Sequence, residues 1–302
     1  MNLFLYLSVV LIWGTTWIAI YAQQSAGDNA VVVAVFWRFL LASLVMLLLL
    51  TLIKRLHRLT LQDHLFCMLQ GCCVFGFNFV CFYYASGYIS SGLESVIFSM
   101  AVMYNAINSW VFFRQRPSAR LIPAVWLGMA GIVALFWHDL RSTQASAELI
   151  WGIGLSALGT LGFSFGNMIS QRHQRLKRDV LTTNSYGMLY GAVAMALVSL
   201  AQGISLQPTW NTQWAGALTY LAMVGSVIGF GAYFTLVGRI GASRAAYTTV
   251  LFPLVALALS TRYEGYEGYE WHASAIPGLV MILLGNVVMF ARWPARRRRV
   301  II

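Results

Sequence analysis

Charge is what this chain has least of. Asp, Glu, Lys and Arg make up only 10% of its 302 residues, where a soluble domain carries about a quarter. A water-soluble globular fold is excluded, and a bilayer is the matching solvent. Cysteine is confined to Cys67, Cys72, Cys73 and Cys81, all in one apolar stretch with no paired CxxC spacing. Zinc sites and disulfide frameworks are thereby excluded, and the thiols serve as small hydrophobes. There is no HExxH motif, no set of nucleophile, base and orienting group, and no cluster of histidines with carboxylates at membrane depth. The sequence therefore offers no enzyme active site, no metal site and no cofactor site. A continuous basic face is missing too. The net charge of +11 is dispersed in short clusters between apolar runs, which argues against nucleic acid as a partner.

What the chain has is apolar length: 59% hydrophobic residues and a mean hydropathy of +0.71. Ten runs are apolar enough to cross a hydrocarbon core about 30 Å thick as helices. They cover approximately 3–22, 31–53, 65–86, 92–113, 121–138, 149–170, 182–203, 213–237, 245–262 and 274–292. Lipid satisfies no backbone donor, so uninterrupted runs of this length read as helices. The first run has no basic leader and no small-residue cleavage site, so it is expected to be a span and not a signal peptide.

Charge placement tests the count independently, because Lys and Arg gather in cytoplasmic loops. With the N-terminus inside, the inner segments hold Lys54, Arg55 and Arg58; Arg114, Arg116 and Arg120; Arg172, Arg175, Lys177 and Arg178; Arg239 and Arg244; and Arg292 with Arg296 to Arg299. Only Arg141 and Arg262 fall outside, and Arg38 falls within a helix. Ten helices with both termini cytoplasmic satisfy this pattern. The RRRR tail is either a topology anchor or a contact for anionic lipid.

A plan repeats along the chain. The passage from Gly71 to Pro117 pairs two apolar runs around GYISSGL, and Gly225 to Glu264 does the same around GRIGAS. Aligning Val102 with Pro253 puts Gly87 over Gly238 and Gly76 near Gly229. Halves of five helices, residues 1–140 and 141–302, cross the membrane in opposite senses. That makes an inverted repeat, an arrangement that presents one central site alternately to each side. The expected fold is an all-α membrane protein of ten transmembrane helices in two inverted five-helix repeats around a central cavity.

The run LIWGTTW in the first helix, FWRFLLASLVMLLLL in the second, FYYASGYISSGLESVIFSMAVMYNAINSWVFFRQRPS across the third and fourth, and LFPLVALALS in the ninth together resemble the drug/metabolite transporter superfamily, in its ten-helix branch with two EamA-type repeats. The family pattern has Pro where Val102 stands and Glu where Gln115 stands, so the first repeat lacks a helix breaker and an inner-loop carboxylate. The YEGYEGYEW segment leaves two matches, Glu264 or Glu267, for the family's acidic position. The resemblance implies an inner-membrane carrier that exports small amphipathic metabolites such as amino acids. Uptake or drug efflux, or a non-transporting sensor or partner subunit, are the alternatives. The partners implied are a small-molecule substrate and the lipid bilayer.

Several residues stand out as site candidates. Ionisable groups inside a membrane are rare and costly, and Arg38 lies roughly 10 Å from the outer end of its helix. It either faces the cavity to hold a substrate carboxylate, or snorkels outward or bonds a neighbouring helix. Glu94, Phe98, Ala101, Asn105, Asn108 and Phe112 recur at intervals of 3 and 4, one helix face expected to look inward. Asn105 and Asn108, with Asn78 and Asn167 on other helices, either glue helices or line a wet cavity. Glu94, near the outer mouth, is a gating or coupling candidate or a solvated helix-start carboxylate. Without a mid-membrane carboxylate, a proton-coupled multidrug mechanism is weakened. Trp13, Trp17, Tyr84, Tyr104, Tyr233 and Tyr247 suit a cavity that stacks flat or apolar groups, or pack against one another. Pro253 frees the Thr249 carbonyl, which makes its helix a place for bending. Glycine pairs at Gly162/Gly166, Gly187/Gly191 and Gly225/Gly229 permit close helix approach.

Overall fold

The computed structural model describes residues 2–115, 120–135, 137, 147–240, 242–246, 248–263 and 275–290, and among them no strand occurs. In chain order the described residues form α1 Asn2–Gln24, α2 Val31–Leu52, α3 Leu61–Ala85, α4 Ser91–Phe113, α5 Leu121–Leu135, α6 Ala147–Arg175, α7 Val180–Ala201, α8 Thr212–Ile240, α9 Thr248–Tyr263 and α10 Ala275–Phe290, with a four-residue helix Ala242–Ala245 between α8 and α9. Seven of α1–α10, all but α5, α9 and α10, are long and apolar enough to cross a membrane. Those three have 15, 16 and 16 described residues. Parts of the runs expected at 121–138, 245–262 and 274–292 lie outside the described residues, as do Tyr247, Glu264, Glu267, Arg141 and the RRRR tail.

Helix starts follow capping chemistry. The Thr60 side chain accepts from the Asp63 amide and Asp63 answers to the Thr60 amide, a reciprocal pair that satisfies two otherwise orphaned donors. Asp179 accepts from the Thr182 amide at 2.8 Å and Asn211 from the Trp214 amide at 2.8 Å. The outward faces are apolar: Leu44, Leu48 and Leu52 on α2 and Leu197 and Leu200 on α7 are exposed, as suits a helix bundle solvated by acyl chains.

Two helices widen along part of their length. Gly71–Phe77 within α3 and Leu221–Ile228 within α8 are π-helical, and such wide turns occur often at functional sites. Ser226 donates to the Leu221 carbonyl at 2.9 Å, five residues back. In the first π segment, Gly71 abuts the backbone of α7. A Cβ there would run into the Gly187 carbonyl and sit 2.7 Å from the Gly191 amide nitrogen.

The fourth helix runs from Ser91 to Phe113 as a span but is not α-helical throughout. Its α-helical path breaks at Ser99 and Met100, whose amides bond to Val96 and Ile97, three residues back, at 3.0 Å each. The break falls in the repeat that lacks the proline, whereas Pro253 lies inside α9 without interrupting it. Helix α9 tolerates the missing donor, as membrane helices do when neighbours re-satisfy the freed carbonyl.

The α3 end near Asp63 is fastened to the α6–α7 turn. Asp63, 1% exposed, meets Arg178 at 2.9 Å and Arg172 at 3.9 Å, and Arg172 lies 3.6 Å over the Phe66 ring. Asp63→Ala removes the carboxylate half of the reciprocal cap and the anion between two guanidinium groups. It is expected to destabilise the fold by about 2–3 kcal/mol, read as a lower melting temperature in detergent. An unchanged melting temperature would show that the cluster is ornamental.

Candidate functional site

The buried interior gathers where α1, α2, α3, α4, α6, α8 and α9 converge. Trp13, Thr16, Trp17 and Ile20 from α1 and Arg38 from α2 line a cavity there, with Asn78, Phe79 and Phe82 from α3. Phe98, Phe163, Phe230 and Phe252, one each from α4, α6, α8 and α9, complete the wall. Its empty volume is about 380 Å³ counted out to the mouth. The rings draw it into a narrow slot: Trp17 lies 5.0 Å from Phe82 and 5.6 Å from Phe98, and Phe98 lies 4.8 Å from Phe163, centroid to centroid.

Trp13 closes one side. Its ring stands 4.7 Å from Tyr233, 4.9 Å from Phe230 and 5.9 Å from Phe163, and its Nε1 donates to the Gly225 carbonyl at 3.3 Å. Glycine makes room for this: a Cβ at Gly229 would sit 2.6 Å from Trp13 Nε1, and one at Gly225 2.8 Å from Thr16 Cγ2.

Arg38 does not snorkel; it is 1% exposed. Its Nε donates to Ser226 Oγ at 3.1 Å, on the π-helical part of α8 that turns this hydroxyl toward α2. The guanidinium lies 4.3 Å over the Phe79 ring and 5.2 Å over Phe39. Its other polar neighbour is Tyr83, whose hydroxyl donates to Gln23 Oε1 at 2.7 Å. Nη1 is buried with no hydrogen-bond partner, and among the described residues no salt bridge reaches Arg38. A buried guanidinium with no ion pair carries a desolvation penalty of several kcal/mol, which the Ser226 and Tyr83 hydroxyls and two ring faces offset only in part. What the arrangement can do chemically is present the unpartnered N–H donors of Arg38 Nη1 to an anion inside an aromatic slot.

The asparagines divide. Asn78 borders the cavity and donates to the Gly159 carbonyl of α6 at 3.1 Å. Asn167 donates to Asn105 Oδ1 and to the Tyr233 hydroxyl, both at 3.2 Å, and Asn108 donates to Ser164 Oγ at 2.8 Å. These three, with Tyr233, form a polar layer tying α4, α6 and α8 behind the Trp13 ring. They bridge helices and are not among the residues lining the cavity.

Other sequence expectations need correction. Tyr84 is 47% exposed, and it is the neighbouring Tyr83, 1% exposed, that faces the interior. Consecutive helical residues point about 100° apart, so only packing decides between them. Phe112, at 56%, leaves the expected inward stripe. Glu94 is fully buried and not a solvated helix-start carboxylate. Tyr104 is half-buried and absent from the cavity wall. Pro253 follows Phe252, which does line it.

Residue-level reasoning missed Phe79, Phe82, Phe163, Phe230, Phe252 and Ser226. A signal was available for some of them. The register that aligns Val102 with Pro253 also puts Phe79 over Phe230 and Phe82 over Tyr233.

The profile of the EamA-like transporter family matches residues 1–137 and 150–291. The chain belongs to the EamA-like transporter family. Members of this family are transporters and not enzymes, and the chain is a multi-pass membrane protein. Among its relatives is Protein PagO of Salmonella typhimurium, 26% identical over 263 residues that span 87% of this chain and 84% of the relative. The uncharacterized transporter YyaM of Bacillus subtilis is 26% identical across 82% of this chain and 81% of its own length. The uncharacterized inner membrane transporter YedA of Escherichia coli K12 is 24% identical across 68% and 65%. A solved crystal structure superposes with a TM-score of 0.65 at 14% identity, covering 95% of both chains, which establishes the shared fold.

Proposed function

We propose that this EamA-like transporter is an alternating-access carrier that moves small amphipathic metabolites bearing a carboxylate, amino acids among them, outward across the inner membrane. In this reading ten spans form two inverted five-helix repeats, 1–140 and 141–302, with both ends cytoplasmic. The helix contacts support it. Contacts of α1 with α9 and α8 have counterparts in those of α6 with α4 and α3, and α2 on the α8 π segment has its counterpart in α7 on that of α3. Pairs α2 and α7, α4 and α9, and α5 and α10 each join equivalent helices of the two halves. The two π segments also occupy corresponding places in helices three and eight. The basic inner segments and the inner-membrane relative YedA support the orientation and the membrane assigned.

The observation that carries the substrate site is Arg38: a buried cation with an unused donor, among the residues that line an aromatic cavity. Trp13, Trp17 and Asn78 share that wall and are assigned to the same site. The test is counterflow in proteoliposomes with labelled amino acids and related carboxylates, with and without a pH gradient. Saturable flux well above protein-free vesicles is expected for at least one carboxylate solute. Absence of flux with every solute would favour a non-transporting sensor.

A further inference from the structure

Resting on that reading of the cavity, we infer that the site selects aromatic monocarboxylates that lack an ammonium group, in preference to the zwitterionic amino acids of the same skeleton. The charge balance of the wall is the reason. Among the described residues, twelve line the cavity; one is a cation and none is a carboxylate. Arg38 Nη1 has no hydrogen-bond partner and no ion pair among the described residues, so a bound carboxylate converts an unpaired buried charge into a neutral pair. Both partners gain, because a buried ion is stabilised only when paired and hydrogen-bonded.

An amino acid undoes part of this. Its ammonium sits on the carbon next to the carboxylate, so docking on Arg38 carries a second positive charge to within a few ångströms of the guanidinium. The acceptors on the wall are neutral, the Asn78 amide oxygen and the Thr16 hydroxyl, because the indole N–H groups of Trp13 and Trp17 only donate. The ring faces offer the ammonium a cation–π contact, worth much less than the hydration it gives up. Phe79, the nearest face, is already covered by the guanidinium. An anion with an apolar ring meets no such electrostatic opposition; its ring needs only to part Trp17, Phe82, Phe98 and Phe252, whose contacting centroids stand 5.0 to 5.9 Å apart.

The same charge bears on energetics. A carrier of a monoanion needs no coupling ion to work outward, because an interior-negative membrane potential itself expels the charge.

The experiment titrates the purified full chain in detergent with two matched pairs, 3-phenylpropanoate against phenylalanine and indole-3-propanoate against tryptophan, by calorimetry. The acid of each pair is expected to bind at least about tenfold more tightly than its amino acid. In Arg38→Leu that preference is expected to vanish, with Arg38→Gln serving should the leucine variant fold poorly. Equal or tighter binding of the amino acids overturns the inference, as does binding of neither, or an acid preference that survives loss of the guanidinium. Amino acid flux in vesicles alongside any of these outcomes would leave the carrier reading standing and remove only the charge selectivity.

Discussion

In Arg38→Leu, carboxylate flux is expected to fall roughly 10- to 100-fold while the protein melts no lower than the native chain. The two halves of this result have one cause. A structural arginine would be paired, and its loss would strand a buried partner at about 3–5 kcal/mol. Arg38 instead contacts the Ser226 hydroxyl, ring faces and Tyr83, whose own hydroxyl keeps its bond to Gln23, and its buried Nη1 is unsatisfied. Leucine removes the desolvation penalty and leaves Ser226 bonded to the Leu221 carbonyl. The substrate, however, loses its charged hydrogen bonds. Counterflow and detergent melting curves on the same preparation read both quantities. A variant with native flux, or one that loses flux only because it melts early, would move Arg38 from the binding site to the scaffold.

Gly71→Ala should give the largest loss of stability, about 3 kcal/mol or more, although it adds a single methyl group. Most overpacked positions relax by turning a side chain. Here the obstacles are the Gly187 carbonyl and the Gly191 amide of α7, so α3 and α7 must separate as whole helices. Gly154, on α6, is the control: a Cβ there meets nothing within 4 Å, and Gly154→Ala should be neutral or stabilising by up to about 1 kcal/mol. Unfolding titrations of both variants compare them directly. Equal stabilities would mean that α3 and α7 are not in backbone contact.

Much of the candidate site was legible from cost. Arginine and tryptophan deep in an apolar run are expensive or bulky enough to need a reason, and Trp13, Trp17, Arg38 and Asn78 do meet on one cavity wall. Phenylalanine carries no such signal, since it is as much at home facing lipid as facing a ligand. Only the repeat register, laying Phe79 over Phe230, could have marked any of the five that line the slot.

By itself, the sequence determined the solvent, the helical class and the family, because these follow from apolar run length, scarce charge and the order of motifs along the chain. Which face of each helix looks inward was decided only by the tertiary structure. Tyr83 in place of Tyr84, the burial of Glu94, the bridging of Asn105 to Asn167 and the π turn that brings Ser226 to Arg38 all depend on rotations of less than one helical turn. In a chain whose helices are apolar on nearly every side, periodicity leaves those rotations open. They are fixed where backbones meet at Gly71 and Gly187, and where buried polar groups must find partners across helices.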